Sequence, residues 1–326
     1  MAPPMVTTVR AVVATVAILT LLVCSLRLYL RKFITRAFGL DDCLVILALI
    51  LVLLFAALSI YLTFFGIGRH MDTVPEDQLP TMQYAIYISL CTYLFVASAV
   101  KISLLVFIMR AFPTKLIRWL GLTIVGFLVL LTISGELPLI LQCSPVSAAY
   151  DKTVPNYKCF PSDTMFDIEM YQGVLMFAVD LAIFALPIPT IWKLQMPLKR
   201  RLTIIGLFAL GLVACVAGLA RLPTLVYQKD DTDFTYSGAT PLIWMNVEFG
   251  LALTTGSLPS LRILLRRIPG FSSDKSESKE LTGGNANGNS GFHLRDQKRW
   301  TSKIIGKGRD DVESLASESQ ERIFRN

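Results

Sequence analysis

The segment DCLVILALILVLLFAALSIYLTFF, residues Asp42 to Phe65, carries a single charged side chain, at its first position. A run this apolar matches the roughly 20 residues that an α-helix needs to cross a bilayer core of about 30 Å. The rest of the chain has the same character: of 326 residues, 53% are hydrophobic and 17% are charged, and the mean hydropathy is +0.57. Because the apolar residues fall in long blocks rather than in amphipathic periods, the sequence predicts an all-α, multi-pass membrane protein and excludes an ordinary soluble domain.

Seven apolar blocks predict a seven-transmembrane helix bundle. They run from Arg10 to Leu30, Asp42 to Phe65, Met82 to Met109, Trp119 to Gln142, Ile168 to Trp192, Leu202 to Gln228 and Thr240 to Leu265. The first block lacks a small-residue cleavage site and is followed by basic residues, which favours a helix over a secretory signal.

Basic residues are distributed unequally between the two faces of this bundle. Five lie on the face of the N-terminus, and fourteen lie on the opposite face: Arg27, Arg31, Lys32, Arg36, Arg110, Lys115, Arg118, Lys193, Lys199, Arg200, Arg201, Arg262, Arg266 and Arg267. The positive-inside rule therefore predicts an external N-terminus and a cytoplasmic C-terminus. The formal net charge of +7 is mostly this collar, which suits anionic lipid headgroups and gives no case for nucleic-acid binding.

The composition changes after the last apolar block. Residues 1–267 are expected to form the seven-transmembrane, rhodopsin-like domain, and residues 268–326 are rich in Ser, Glu, Lys, Asn and Gly. Such a segment cannot bury enough apolar surface to offset the entropy of ordering it. We therefore expect a disordered cytoplasmic tail.

Ionisable residues inside the spans are costly in a membrane and are candidate functional groups. At about 1.5 Å of rise per residue, Glu136, Arg221 and Glu248 lie about 9 to 12 Å below the outer helix ends and share one layer. An arginine between two carboxylates suits either a structural clamp or the polar floor of an outward-facing ligand pocket.

A second set of buried charges lies deeper. Lys101 is expected to pair with Asp180, although Asp41 and Asp42 at the inner end of the second helix are rival partners. The pair is more often structural than a proton relay or a gate. The last span contains no lysine, which argues against a retinal Schiff base.

Cysteine and histidine usage limits the chemistry further. Cys143 and Cys159 fall in the long outer loop and favour a disulfide, with Cys91 as the alternative partner. The chain has two histidines, and haem, histidine-box and zinc sites each need more than one His close together, so we predict no metal and no cofactor.

Several motifs occur in a fixed order along the chain. They are Gly39-Leu40-Asp41-Asp42, Gly66-Ile67-Gly68-Arg69-His70, Lys101-Ile102-Ser103-Leu104-Leu105 with Arg110-Ala111-Phe112, Cys143-Ser144-Pro145-Val146 with Cys159, Asp180 with Leu186-Pro187-Ile188-Pro189, Trp192-Lys193-Leu194-Gln195-Met196, and Glu248 with Pro259-Ser260-Leu261-Arg262. From about Leu26 to Phe271 the chain resembles the fungal rhodopsin-domain integral membrane proteins, which include Pth-type receptor-like proteins and the membrane protein of the satratoxin gene cluster. The resemblance implies a seven-helix fold and a receptor-like or cluster-accessory role.

Three classes of function are compatible with these features to different degrees. We expect first a receptor-like sensor of an unknown small ligand at the plasma membrane, and second a transporter or channel for a small metabolite. Met109-Arg110-Ala111 stands where receptors carry Asp/Glu-Arg-Tyr, so coupling to a G protein is an analogy from fold alone. A membrane enzyme is the weakest hypothesis, because no nucleophile and base or metal set is present.

Overall fold

The computed structural model describes residues 4–151, 154–189, 211–224 and 233–265, with side chains assigned for residues 5 to 261 of these ranges. The expected tail 268–326, the boundary before it and the Trp192 motif lie outside the described residues. All statements below concern the described ranges.

The described residues are mostly helical. The α-helices are α1 (Pro4–Tyr29), α2 (Leu40–Leu62), α3 (Leu79–Ala111), α4 (Lys115–Ile140), α5 (Ser162–Ala185), α6 (Gly211–Thr224), α7 (Phe234–Ser237) and α8 (Ala239–Leu265). A π-helical turn extends α1 over Leu30–Ile34, and 3-10 turns occupy Met71–Thr73, Glu76–Gln78 and Val146–Ala149. Two short strands, β1 (Cys143–Ser144) and β2 (Lys158–Cys159), pair antiparallel.

Local sequence explains where α2 and α4 begin. The Asp42 carboxylate accepts a hydrogen bond from the Gly39 backbone N–H at 3.1 Å, and two aspartates in the first turn suit the positive end of the helix dipole. At α4, the Thr114 hydroxyl accepts from the Ile117 N–H at 3.3 Å. Each cap therefore marks the point where a short loop ends and an apolar helix begins.

The helices pack as a bundle. Successive helices from α1 through α5 contact one another, and α8 packs against α1, α2 and α3. We call the end that carries β1 and β2 the disulfide end, and the end that carries Arg27, Arg31 and Arg110 the arginine end. The position of α3 between α2, α4 and α8 explains why its buried polar residues reach several partners.

The helix count agrees only in part with the seven predicted spans. Five segments are long and apolar enough to cross a membrane: Met5–Ile34, Leu40–Leu62, Glu76–Ala111, Lys115–Ile140 and Ser162–Ala185. The sixth span is described only over Gly211–Thr224. The seventh is the 27-residue α8, whose length of about 40 Å exceeds the bilayer core, but whose polar residues lower its hydropathy.

The fifth helix differs most from its predicted bounds. It was expected over Ile168 to Trp192, whereas α5 runs from Ser162 to Ala185. It ends just before Leu186-Pro187, because a proline has no N–H to continue the helical ladder. It begins earlier because Ser162 and Asp163 are favourable in a first helical turn although they are too polar to belong to an apolar block.

The predicted disulfide is confirmed. Cys143 and Cys159 face each other across β1 and β2 and are bonded, whereas Cys91 is free. The bond joins two strands that are 16 residues apart in sequence and anchors the loop between α4 and α5.

We expect the double variant Cys143→Ser/Cys159→Ser to be less stable than the wild type by about 3 kcal/mol, from the chain entropy of a loop of this size. Thermal unfolding of the purified protein measures the loss. Reductant should lower the melting temperature of the wild type and leave the double variant unchanged. Equal sensitivity of both to reductant would contradict the assignment of the stabilisation to this bond.

Candidate functional site

Three ionised side chains meet in the middle of the bundle. The Lys101 ammonium on α3 lies 2.5 Å from Asp180 Oδ1 on α5 and 3.2 Å from Glu248 Oε1 on α8. Lys101 is only 4% exposed, and Glu248 is buried with it. One cation therefore joins carboxylates from two other helices, which offsets part of the cost of burying three charges. We call Lys101, Asp180 and Glu248 the central triad.

The structure brings Lys101 to Asp180, which is the pair that the sequence favoured, and it does not bring Lys101 to the rival partners. Asp41 is bonded by Arg31 and Arg110 and lies 3.1 Å from Arg27. Arg31 also lies 2.8 Å from Asp42. These five residues form a separate cluster at the arginine end.

The predicted ion pairing of Arg221 with Glu136 and Glu248 is wrong for the described residues. The acceptor that was expected for Arg221 at Glu248 is bonded to Lys101 instead. The Arg221 guanidinium stacks on the ring of Tyr93, with Cζ 3.9 Å from the ring centre, and no described residue accepts a hydrogen bond from its Nε. Helical rise gives an expected depth for each residue but not the direction in which each helix turns its side chains.

Glu136 lies apart from both groups. It is buried near the disulfide end of α4, beside the backbone of Leu94 and Phe95 on α3, and no described side chain forms a hydrogen bond with its carboxylate. The neighbouring Gly135 faces Leu94 and Gln172, which shows that this side of α4 packs against α3 and α5. Glu136 lines neither of the two cavities described next.

Two cavities lie on either side of an aromatic layer. The ring centres of Tyr93 and Phe249 are 5.7 Å apart; Tyr93 lines the cavity towards the disulfide end and Phe249 lines the cavity towards the arginine end. We call them the disulfide-end cavity, of about 670 Å³, and the arginine-end cavity, of about 280 Å³.

The two cavities have different chemistry. The central triad lines the arginine-end cavity, whose other walls are mostly apolar and aromatic, including Phe107, Phe112 and Phe184. The disulfide-end cavity is more polar, and Arg221 contributes to it. Its polar lining residues are Ser89, Gln142, Ser162, Asp163, Glu169, Gln172 and Arg221.

Sequence reasoning missed Glu169 and Tyr93. Glu169 is one residue inside the predicted start of the fifth span, where a charge is expected at a membrane surface, so its position gave no signal of burial. Because α5 begins six residues earlier, Glu169 lies on the second turn of the helix and faces the cavity. Tyr93 carries no charge, and only packing reveals its contact with Arg221.

The Gly66 to His70 motif forms a contact between two loops at the disulfide end. Gly66 and Gly68 have φ values of 134° and 88°, a backbone region that glycine adopts without strain. This turn lets the Gly68 N–H donate to the Thr235 carbonyl at 2.8 Å. His70 Nδ1 then lies 2.5 Å from Asp233 Oδ2, and the His70 ring stacks on Tyr236. Since Ile67 and Phe234 line the disulfide-end cavity, this contact lies at its rim.

The rim contact predicts a small dependence of stability on pH. Slight burial acts to raise the pKa of Asp233, but the contacts with His70 and with the Met71 N–H outweigh it and lower that pKa below its ordinary value. A depressed carboxyl pKa stabilises the fold above the unfolded-state value and ceases to do so as the pH falls through the folded-state value. We therefore expect Asp233→Asn to lower the melting temperature at about pH 7 but not at about pH 3.

Solvent screens this exposed pair, so the effect is expected to stay below about 1 kcal/mol. Asp72→Asn, in the neighbouring 3-10 turn, is the matched control and should change little at either pH. A loss for Asp233→Asn that persists in acid would contradict an ionic contribution.

These features define a class of protein. Five membrane-length apolar helices, a bundle with ionised residues at its centre and cavities between the helices are those of a multi-pass α-helical membrane protein. A sequence model of the fungal rhodopsin domain matches residues 26–267. The chain belongs to this family, which confirms the resemblance given by the motifs.

Named relatives come from several fungi. The chain is 29% identical over 197 residues to the Fugralins biosynthesis cluster protein 2 of Gibberella zeae, covering 59% of this chain and 48% of that protein. It is 24% identical to the Polyenoic acids biosynthesis gene cluster protein Ba17b of Metarhizium anisopliae, covering 77% of this chain and 71% of that protein.

A third relative has a name that states a function. The Receptor GIN3 of Arthrobotrys oligospora is 24% identical over 254 residues, covering 76% of this chain and 59% of that protein. The chain thus spans from 48% to 71% of the length of these relatives. No solved structure matches the chain.

Proposed function

We propose that this membrane protein is a receptor-like sensor that binds a small molecule in the disulfide-end cavity. The observation that carries the proposal is that cavity itself: about 670 Å³, within the range of small-molecule sites, with the buried Arg221 among its lining residues. The receptor name of one relative and the biosynthetic-cluster names of two others support a ligand that is a small metabolite.

The proposal includes a seven-helix arrangement with the disulfide end outside the cell and the arginine end in the cytoplasm, most simply in the plasma membrane. The bias of basic residues supports this orientation. The disulfide also supports it, because such bonds form and persist in oxidising compartments. An epitope beside Tyr150 should then be accessible on intact cells and one between Phe112 and Lys115 should not; the reverse pattern would overturn the orientation.

The central triad supports a route for signal transfer. Lys101, Asp180 and Glu248 join α3, α5 and α8, and Glu248 is next in sequence to Phe249, which contacts Tyr93. A ligand in the disulfide-end cavity that shifts Tyr93 would act on α3, and the central triad couples α3 to α5 and α8. We propose no enzymatic activity and assign no G-protein contact.

A transporter is the second candidate, because one observation favours it. The cavities lie on opposite sides of the layer formed by Tyr93 and Phe249, as in a path that is open to each side of the membrane in turn. A permeating molecule has to pass both cavities, whereas a sensed ligand needs only the disulfide-end cavity. This difference separates the two functions by experiment.

The test uses two cavity-filling variants of the full chain in lipid nanodiscs and proteoliposomes. Ser89→Phe fills the disulfide-end cavity and Ala252→Phe, the matched control, fills the arginine-end cavity. Small molecules from fungal culture medium that the protein retains are detected by native mass spectrometry. A sensor predicts retention by the wild type and by Ala252→Phe, loss in Ser89→Phe, and no uptake into vesicles.

A transporter predicts uptake by the wild type and its loss in both variants. Retention that survives Ser89→Phe in a folded protein would overturn the assignment of the ligand to the disulfide-end cavity.

A further inference from the structure

We propose that the ligand of the disulfide-end cavity is a small organic acid with an apolar body, whose carboxylate is bound by the Arg221 guanidinium. This inference rests on the ligand-binding role proposed above for that cavity and adds the charge and chemical class of the ligand.

The first observation is that Arg221 is buried and has no ion-pair partner among the residues that the structure describes. It is 5% exposed, no described residue forms an ion pair with it, and its Nε has no hydrogen-bond acceptor among the residues that the structure describes. A buried cation with no ion-pair partner is expensive inside a membrane protein. Carboxylate binding would restore the missing pair.

The second observation is how the guanidinium is held. Its Cζ lies 3.9 Å from the centre of the Tyr93 ring, so one face of the planar group is covered by the aromatic ring. Stacking uses the face and leaves the N–H groups, which lie in the plane, for an acceptor. A carboxylate matches this edge with two parallel N–H···O bonds, which a single hydroxyl or carbonyl oxygen cannot form.

The third observation concerns the remaining walls. Apolar side chains from six helices line the cavity, among them Leu62, Ile86 and Met245, so they suit an aliphatic or aromatic body. Glu169 lines the same cavity and interacts electrostatically with Arg221 without forming an ion pair with it. Its negative charge disfavours a second anionic group on the ligand, which indicates a monocarboxylate rather than a diacid.

The test compares three probes that share one skeleton and differ in charge: cinnamate, the neutral cinnamamide and the cationic cinnamylammonium. Kd values are measured by ligand-observed NMR titration of the full chain in nanodiscs. A charge-assisted, bidentate contact predicts that cinnamate binds at least tenfold more tightly than cinnamamide. Cinnamylammonium is expected to bind more weakly than either.

Variants assign this difference to Arg221. Arg221→Gln should weaken the binding of cinnamate to the affinity of cinnamamide and change the Kd of cinnamamide by no more than about twofold. Arg221→Lys should keep only part of the preference for cinnamate, because lysine keeps the charge but lacks the two parallel N–H donors of the guanidinium. Arg10→Gln is the matched control: Arg10 also stacks on an aromatic ring, Phe64, near the disulfide end, but it lines neither cavity. It should leave all three Kd values unchanged.

Glu169→Gln keeps the test valid if Arg221→Gln fails to fold. Removing this negative charge should lower the Kd of cinnamate about threefold or more and leave the Kd of cinnamamide unchanged. Equal affinity for cinnamate and cinnamamide, no saturable binding of cinnamate, or weaker cinnamate binding by Glu169→Gln would each overturn the inference. If the wild type retains a neutral metabolite and Ser89→Phe does not, the sensor proposal stands and the inference of a carboxylate ligand fails.

Discussion

Lys101→Met is expected to lower the free energy of unfolding by about 3 to 5 kcal/mol, because it leaves Asp180 and Glu248 buried together without their cation. Methionine keeps the length and most of the volume of the lysine side chain, so the loss reports the charge rather than a cavity. Thermal and chemical unfolding of the protein in nanodiscs measures it. Lys115→Met, at the exposed first turn of α4, is the control and should change stability by less than about 0.5 kcal/mol.

Neutralising the carboxylates should rescue this variant. Adding Asp180→Asn and Glu248→Gln to Lys101→Met removes the two uncompensated charges, and the triple variant should regain most of the lost stability. If the three losses simply add, the residues do not interact and the central triad is not a unit. A triple variant that folds but no longer responds to a ligand would assign the triad a role in signalling beyond stability.

Arg27→Met is the second variant with a large expected effect, again about 3 to 5 kcal/mol. Arg27 is 1% exposed, lies 3.1 Å from Asp41 and 3.5 Å from Asp42, and donates to the Gly256 carbonyl of α8 at 2.6 Å. Its loss leaves a buried carbonyl and two carboxylates with fewer partners, and it removes a hydrogen bond between α1 and α8 at the arginine end. The same unfolding measurements apply.

Arg110→Met is the matched control for this second prediction. Arg110 also bonds Asp41, but its side chain is 41% exposed, so water replaces much of what is lost and the cost should be about 1 kcal/mol. A loss for Arg27→Met that is no larger than that for Arg110→Met would mean that burial does not control the strength of this cluster.

The sequence predicted a large part of this architecture for simple physical reasons. Apolar blocks long enough to cross a bilayer have few alternatives to a helix, because a backbone in hydrocarbon has to satisfy its own hydrogen bonds. The pairing of Cys143 with Cys159 was also predictable, since both lie in one loop at the same end of the bundle. Membership of the fungal rhodopsin-domain family followed from motifs that occur in order.

Predictions of partners were less successful, and Arg221 shows why. Rise per residue places Arg221 and Glu248 at one depth, but pairing also depends on the rotation of each helix and on competitors for the same acceptor. Glu248 forms its ion pair with Lys101, and the face of the Arg221 guanidinium stacks on Tyr93. Glu136 lies where its own helix packs against the neighbouring helices. None of these choices is local in sequence.

The sequence alone therefore determined each property that depends on one segment and its solvent: the helical class, the apolar spans, several of the ionisable residues within them and the loop disulfide. Only the tertiary structure decided which charges meet, that Glu169 and Arg221 line one cavity, and that Tyr93 and Phe249 stand between two cavities. The physical reason is that contacts between helices depend on rotation, tilt and competition among side chains far apart in the chain, and no single segment carries that information.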